Sequence, residues 1–306
     1  MSLPEEHLPG ALGGGAPTPP LPPGCVEGYV ATNNTRLHYL AAGTGPLVLL
    51  LHGFPEFWYS WRKQLPVLAQ RFHAVALDLR GYNISDKAQG GYDVVTLSDD
   101  IRGVVEAFGE RRADIVGHDW GGMVAWVFAI RTPECLRRLA VLNAPHPAGV
   151  RGMLRNPAQL RRSSYIGLFQ LRGTAERAIQ RNDYAMIRST FRSADPSRTW
   201  LADTDIQTYV DAIAQPDALS AALAYYRVPQ SLHLLTLSPM RVITAPTLVL
   251  WGEQDPYLGR ELLDGLDAWV DDLRVQRFPQ AGHWLNQQES GRVNEALLAF
   301  LSEPGR

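Results

Sequence analysis

The sequence predicts an α/β fold, a mostly parallel central sheet flanked by helices, with a helical lid inserted after the sixth strand. Three observations carry this expectation. Short, continuously apolar runs alternate with helical stretches, the pattern of strands buried on both faces of a parallel sheet. Pro46-Leu47-Val48-Leu49-Leu50-Leu51 is the clearest such run, and a glycine turn follows it at once. Between about Pro147 and Pro239 the alternation stops, leaving helical periodicity without a buried-strand run.

Taken in order, residues 1–24 are rich in Pro and Gly, with Gly13-Gly14-Gly15 and Pro19-Pro20 among them, and predict a loose tail. Strand-like segments at Glu27–Thr32 and Leu37–Ala41 predict a hairpin turning through Asn33-Asn34. After the run ending at Leu51, further apolar runs fall at Ala74–Leu77, Ile115–Val116, Leu139–Leu142, Thr247–Leu250 and near Val275–Phe278. Helices are expected around 60–70, 97–109, 121–131, 260–269 and 290–302. In the insertion, Ile206, Tyr209, Val210 and Ile213 fall at i, i+3, i+4 and i+7. Residues 25–146 and 240–306 are therefore expected to form the core, and 147–239 a helical cap over the sheet edge where open α/β folds bind ligands. Residues 151–198 hold ten arginines against Glu176, Asp183 and Asp195. That excess reads as a solvated helical face rather than a steering device.

Composition narrows the function classes. The 306 residues are 45% hydrophobic and 20% charged, enough apolar mass for a sizeable core. A formal net charge of −2 offers no basic field for nucleic acid or anionic lipid. No apolar run approaches the ~20 residues of a membrane span. The N-terminus has neither a basic segment nor an apolar one of the secretory kind. Cys25 and Cys135 have no metal-ligand spacing and no disulfide framework, which points to a reducing, cytoplasmic compartment.

The chemistry gathers around Gly117-His118-Asp119-Trp120-Gly121-Gly122. A strand end precedes this stretch and a buried helix follows it. Small residues flank its centre, as a sharp strand–turn–helix requires, and the nucleophile slot of G-x-nucleophile-x-G holds Asp119. A carboxylate there, favoured by the helix dipole, suits displacement at carbon through an ester intermediate. Taken alone, the motif reads equally well as a helix N-cap Asp after a glycine turn. The rest of the chain supplies the partners a nucleophile needs. Asp255 follows the strand Thr247–Trp251, where an orienting acid belongs, and Glu253 precedes the tip of that loop. Gly282-His283-Trp284 follows the last strand, so His283 lies at the same edge as a candidate base. His52-Gly53-Phe54-Pro55 follows the first buried strand, and the amides of Phe54 and Trp120 are candidate oxyanion donors. Pro55 raises the odds of a cis bond. His52 and His118 read as structural hydrogen-bonders, and Asp78, Arg80 and Asp86 as loop anchors.

From about Val26 to Glu303 the chain resembles the epoxide hydrolases of the α/β-hydrolase superfamily, the soluble epoxide hydrolases in particular. His52-Gly53-Phe54-Pro55-Glu56, the stretch around Asp119 and Gly282-His283-Trp284 match that family's motifs, and the chain order Asp119, Asp255, His283 matches its nucleophile, acid and histidine. The resemblance implies two lid tyrosines that grip the epoxide oxygen, at Tyr165 and Tyr226. Leu219, Leu223 and Tyr226 share one helical face, with Tyr225 about 100° away. It also implies conversion of a small hydrophobic epoxide and water into a vicinal diol, with no cofactor and no metal. Phe54 and Trp120 would line the substrate pocket, and phenols near their ordinary pKa of ~10 would protonate the ring oxygen. Two alternatives stand beside this reading. A dehalogenase shares the Asp nucleophile, but its second halide donor is often Asn where Phe54 stands, and the fluoroacetate-type enzymes carry Arg where Trp120 stands. A non-catalytic binding protein of the same fold would be free to lose one of the three residues.

Overall fold

The structure, a computed structural model, describes residues 19–153, 156–197, 199–228 and 240–304. Most of the predicted tail and the end of the predicted cap, 229–239, lie outside the described residues. Among the described residues eight strands, β1 (Val26–Thr32), β2 (Thr35–Ala42), β3 (Leu47–Leu51), β4 (His73–Leu77), β5 (Ala113–His118), β6 (Leu136–Leu142), β7 (Thr247–Gly252) and β8 (Leu273–Phe278), form one sheet in the order β1-β2-β4-β3-β5-β6-β7-β8. The first two, β1 and β2, form the hairpin. Asn33 and Asn34 turn it with φ of 39° and 56°, a pair that matches the twist of the flanking strands. β2 runs antiparallel to β4. From β4 onward through β3, β5, β6, β7 and β8, every pairing is parallel. Leu47–Leu51 has no exposed residue, because helices cover both faces of the sheet.

Parallel pairing brings the ends of these strands to one edge. Gly117 is level with both Leu51 and Val141, so the loops after β3, β5 and β6 start side by side. The helix Trp120–Arg131 leaves β5 with residues 121–130 all buried, as the apolar run from Met123 predicts. Between β6 and β7 lie helices over Pro147–Met153, Pro157–Arg162, Tyr165–Phe169, Thr174–Ala194, Asp203–Ile213 and Ala218–Arg227. Ile206, Tyr209, Val210 and Ile213 are buried on one face, as their spacing predicts. No helix among the described residues is long and apolar enough to cross a membrane.

Two helical stretches differ from expectation, and a third is kinked. The predicted helix over 60–70 is a 3-10 turn at Trp58–Trp61 and a single α-turn at Leu65–Leu68. Trp58, Trp61, Leu65 and Leu68 are buried at helix-like spacing, but Pro66 lacks an N–H and tolerates only a first-turn position. The stretch 260–269 is two 3-10 turns, Arg260–Leu263 and Leu266–Ala268, split at Gly265 by a φ of 72°. Thr174–Ala194 is two helices joined at a kink where Asn182, Asp183 and Tyr184 all take left-handed φ. Arg188 holds this turn, donating to the Asp183 carbonyl at 2.8 Å, the Asp183 carboxylate at 2.7 Å and Gln207 at 2.6 Å.

Candidate active site

Five loops at the C-terminal ends of the parallel strands each contribute one residue to the site. Phe54 follows β3, Asp119 β5, Asn143 β6, Asp255 β7 and His283 β8. Asp119 caps the helix Trp120–Arg131 in a strained conformation, φ 51° and ψ −120°. The turn closes because Gly121 lies against the β3 strand end. A β-carbon there would stand 2.2 Å from the Leu51 carbonyl oxygen and 2.6 Å from that of His52. The Phe54 amide, beside a cis peptide bond to Pro55, donates to Asp119 Oδ1 at 2.9 Å. The other oxygen, Oδ2, lies 3.5 Å from His283 Nε2. On its far side, His283 Nδ1 is 2.7 Å from Asp255 Oδ2. The structure thus brings Asp119, His283 and Asp255 together as one chain of contacts.

Asp255 is itself fully engaged. Its Oδ1 accepts from the amides of Tyr257 and Leu258 at 2.7 and 2.9 Å, and its Oδ2 from Asn143 Nδ2 at 2.7 Å. Asn143 also exchanges hydrogen bonds with the Gly252 backbone at 2.8 and 3.2 Å, locking the end of β7. His283 lies between two carboxylates. Burial works against its imidazolium, but Asp255 and Asp119 outweigh burial and hold its pKa at about 10. The effect is reciprocal. Burial would raise Asp119, yet its hydrogen bond and charge contact with His283, the charge of His118 and the Phe54 amide bring its pKa below the ordinary carboxylate value. The resting site is therefore an imidazolium held between two carboxylates.

Across the site from Asp119 are the two tyrosines of the insertion. Tyr165 opens a short helix and Tyr226 stands in the last turn of another, their ring centroids 6.1 Å apart. With Asp119, His283 and Phe54 they line a cavity of 260 Å³, closed on the insertion side by Leu168, Phe169, Ile179, Met186 and Ile187. Tyr225 turns away as its helical position predicts, donating to the Arg80 carbonyl at 2.8 Å in the core. Trp120 lies edge-on to Tyr226 at 5.0 Å. The phenols differ from expectation: neither has an ordinary pKa. Burial, then the Asp119 charge, raises Tyr165, while burial and the neighbouring Tyr165 and Asp119 lift Tyr226 well above 10.

The remaining polar residues around the turns are structural, as expected. His52 contacts the Gly53 carbonyl at 2.8 Å and accepts from the Leu79 amide at 3.0 Å. His118 is a strut, with Nδ1 2.8 Å from Glu56 and Nε2 2.9 Å from the His283 carbonyl. Asp78 accepts from the Trp58 amide and from Asn83, both at 2.8 Å. Arg80 pairs with Asp100 at 2.6 Å, Asp86 holds the Arg36 amide at 2.9 Å, and Glu253 faces Arg277. Sequence reasoning assigns no role to three residues of the site: Asn143, Glu56 and Tyr257. Only Asn143 carries a readable signal, a side-chain amide directly after a buried strand.

Comparison with known proteins identifies the family of this chain. A family model described as alpha/beta hydrolase fold matches residues 46–289. Human epoxide hydrolase 4 is 37% identical over 93% of this chain and 83% of its own. The AB hydrolase superfamily protein YfhM of Bacillus subtilis is 37% identical over 89% of this chain and 96% of its own. Among solved structures, the Bacillus megaterium epoxide hydrolase in complex with an inhibitor superposes with a TM-score of 0.84 at 33% identity. That match covers 90% of this chain and 100% of the other.

The His283 pKa gives a direct test. Asp119→Asn removes one of the two carboxylates facing the ring, so its pKa should fall by about one unit or more in an NMR titration of the imidazole nitrogens. The sign follows from linkage. A folded-state pKa near 10 contributes stability that is full below the ordinary 6.5 and lost as pH rises through about 10. The variant should therefore show a smaller loss of stability across that range. An unchanged titration would contradict the charge arrangement.

Proposed function

Because this chain belongs to the alpha/beta hydrolase fold family, and within it to the epoxide hydrolases, we propose that it opens epoxides to vicinal diols through an ester on Asp119. The observation that supports this most is the split use of the Asp119 carboxylate. Oδ1 already occupies an amide-lined position suited to an ester carbonyl oxygen, while Oδ2 faces His283. Oδ2 attacks one ring carbon and the C–O bond of the ring breaks. Tyr165 and Tyr226 hydrogen-bond the departing oxygen, which leaves as an alkoxide far more basic than either phenol. Burial keeps both phenols high, but the part of the rise that the Asp119 charge adds disappears as Asp119 becomes an ester, so proton donation becomes easier as the reaction proceeds.

The same neutralisation changes His283. Once Asp119 is an ester, His283 loses one of the two carboxylates holding its proton, and burial then favours the neutral ring. The proton it releases balances the one gained by the new hydroxyl. Neutral His283, oriented by Asp255, then takes a proton from water as the hydroxide adds to the Asp119 carbonyl carbon. The amides of Phe54 and Trp120 hold the oxyanion, and on its collapse protonated His283 gives its proton to the leaving alkoxide, which departs as the diol and leaves Asp119 as a carboxylic acid. The acid proton ends on His283, which restores the resting ion pair. Asp119, His283, Asp255, Tyr165 and Tyr226 are the catalytic residues of this scheme. No cofactor or metal enters it. Cys25 and Cys135 are free thiols, which suits a reducing, cytoplasmic setting.

Substrate class follows from the cavity. At 260 Å³, with Asp119 and His283 as its only carboxylate and imidazole among the described residues, it suits a compact, uncharged, apolar epoxide. Halide release is disfavoured, because Phe54 packs its ring against Phe169 and Tyr226 and offers no side-chain donor. Styrene oxide should give diol, whereas 1-bromobutane and fluoroacetate should release little or no halide. Fast halide release without detectable diol would move the chain to the dehalogenases.

The two half-reactions should separate by mutation. His283→Gln retains alkylation and loses the base, so intact mass after mixing with substrate should show one added epoxide, carried on Asp119. Diol formation by this variant with no adduct at any time would refute the scheme. Tyr226→Phe should slow alkylation ~10- to 1000-fold, the scale of one lost oxyanion donor. The Tyr165→Phe, Tyr226→Phe double variant should not open the ring, and a wild-type alkylation rate there would remove the tyrosines from the mechanism.

A further inference from the structure

Ester hydrolysis needs a water beside His283 at the moment when the substrate fills a cavity whose insertion side is mostly apolar, with Tyr165, Tyr226 and Thr190 its polar residues. A second cavity, of 430 Å³, lies on the other side of Tyr257. Thr190, Tyr257, His283 and Trp284 line both cavities and form the partition between them. Tyr257 stands edge-on to His283 at 5.3 Å and to Tyr165 at 5.7 Å, so one ring contacts both halves of the site.

The two cavities differ in chemistry. Ser193, Gln254, Gln280 and Gln288 line the second, and the first three are exposed, so it is open to solvent. Its polar walls are held in place by backbone contacts. Gln254 donates to the Pro279 carbonyl at 3.0 Å, and Gln288 accepts from the Gly282 amide at 2.6 Å. On the partition, Trp284 is buried and its indole N–H has no acceptor among the described residues. An indole can only donate, and water is the small acceptor able to reach a closed partition.

We propose that the glutamine-lined cavity is the water inlet of this enzyme, and that Tyr257 and Thr190 form the door between it and the Asp119 ester. Substrate and water then reach the reacting atoms from opposite sides, and a bound epoxide does not shut out the second reactant. The proposal rests on the two-step reading above. Tyr257 acts as a positioning residue, holding the water path against His283.

Filling the inlet tests this without touching the substrate cavity. Ser193→Phe and Ala194→Leu stand at the end of the helix Thr174–Ala194, and both positions line the second cavity alone. Rapid-quench mass spectrometry resolves ester formation from ester decay. Alkylation should stay within twofold of wild type, while ester hydrolysis should slow at least tenfold and the ester should become the main steady-state species. The Gln254→Leu, Gln280→Leu pair dries the mouth at exposed positions and should give the same selective loss, even if the filled variants misfold. Unchanged ester decay in that pair, or in folded filled variants, overturns the inlet and leaves the two-step reading standing. Failure of the wild-type protein to form any ester overturns both, and is seen in the same experiment.

Discussion

Asp119 holds a φ of 51° and ψ of −120°, in a region that side chains enter at a cost of about 1–3 kcal/mol. The rest of the site depends on that turn. It points the carboxylate off the end of β5 toward the Phe54 amide and His283, and starts the helix Trp120–Arg131 directly after it. Backbone packing holds it in place, since Gly121 lies so close to the Leu51 and His52 carbonyls that no β-carbon fits. A wider turn would relieve the strain and withdraw the carboxylate from both partners. Parallel pairing does the rest, delivering five loops to the same edge.

Charge then makes the site a two-stroke device. Two carboxylates share one imidazole, and each keeps its own role through its hydrogen bonds. Asp255 is saturated by two amides and Asn143, whereas Asp119 has one amide and an open side facing the cavity. In the proposed reaction the unsaturated carboxylate is consumed, and its loss is what releases His283 to act as a base. The same event relieves the pressure on the two phenols. One change of charge at Asp119 thus prepares both the end of the first step and the start of the second.

Much of this is legible in the sequence because it depends on local signals. Buried parallel strands read as continuous apolar runs, and the glycine turns at their ends mark Asp119, Phe54 and His283. The resemblance assigns Tyr226, helical phase sets it apart from Tyr225, and their side chains do part, one into the cavity and one into the core. What stays hidden depends on distant contacts. Glu56 meets His118 across 62 residues and Asn143 meets Asp255 across 112, so neither pairing leaves a local pattern. The raised phenol pKa values come from burial and the nearby Asp119 charge, both products of the fold. Around Trp58–Leu68, burial at helical spacing imitates a helix that Pro66 forbids. The kink at Asn182–Tyr184 is held by Arg188 and Gln207, the latter on a different helix.

In the proposed reaction the oxygen of water enters Asp119 before any of it reaches the diol. A single turnover with enzyme in excess over styrene oxide, run in water enriched in oxygen-18, reads this directly. Peptide mass spectrometry should place one heavy oxygen in the Asp119 carboxylate, and the first diol released should carry none. Heavy oxygen in that first diol, with Asp119 unlabelled, would mean that water attacks the epoxide itself and would contradict the ester account.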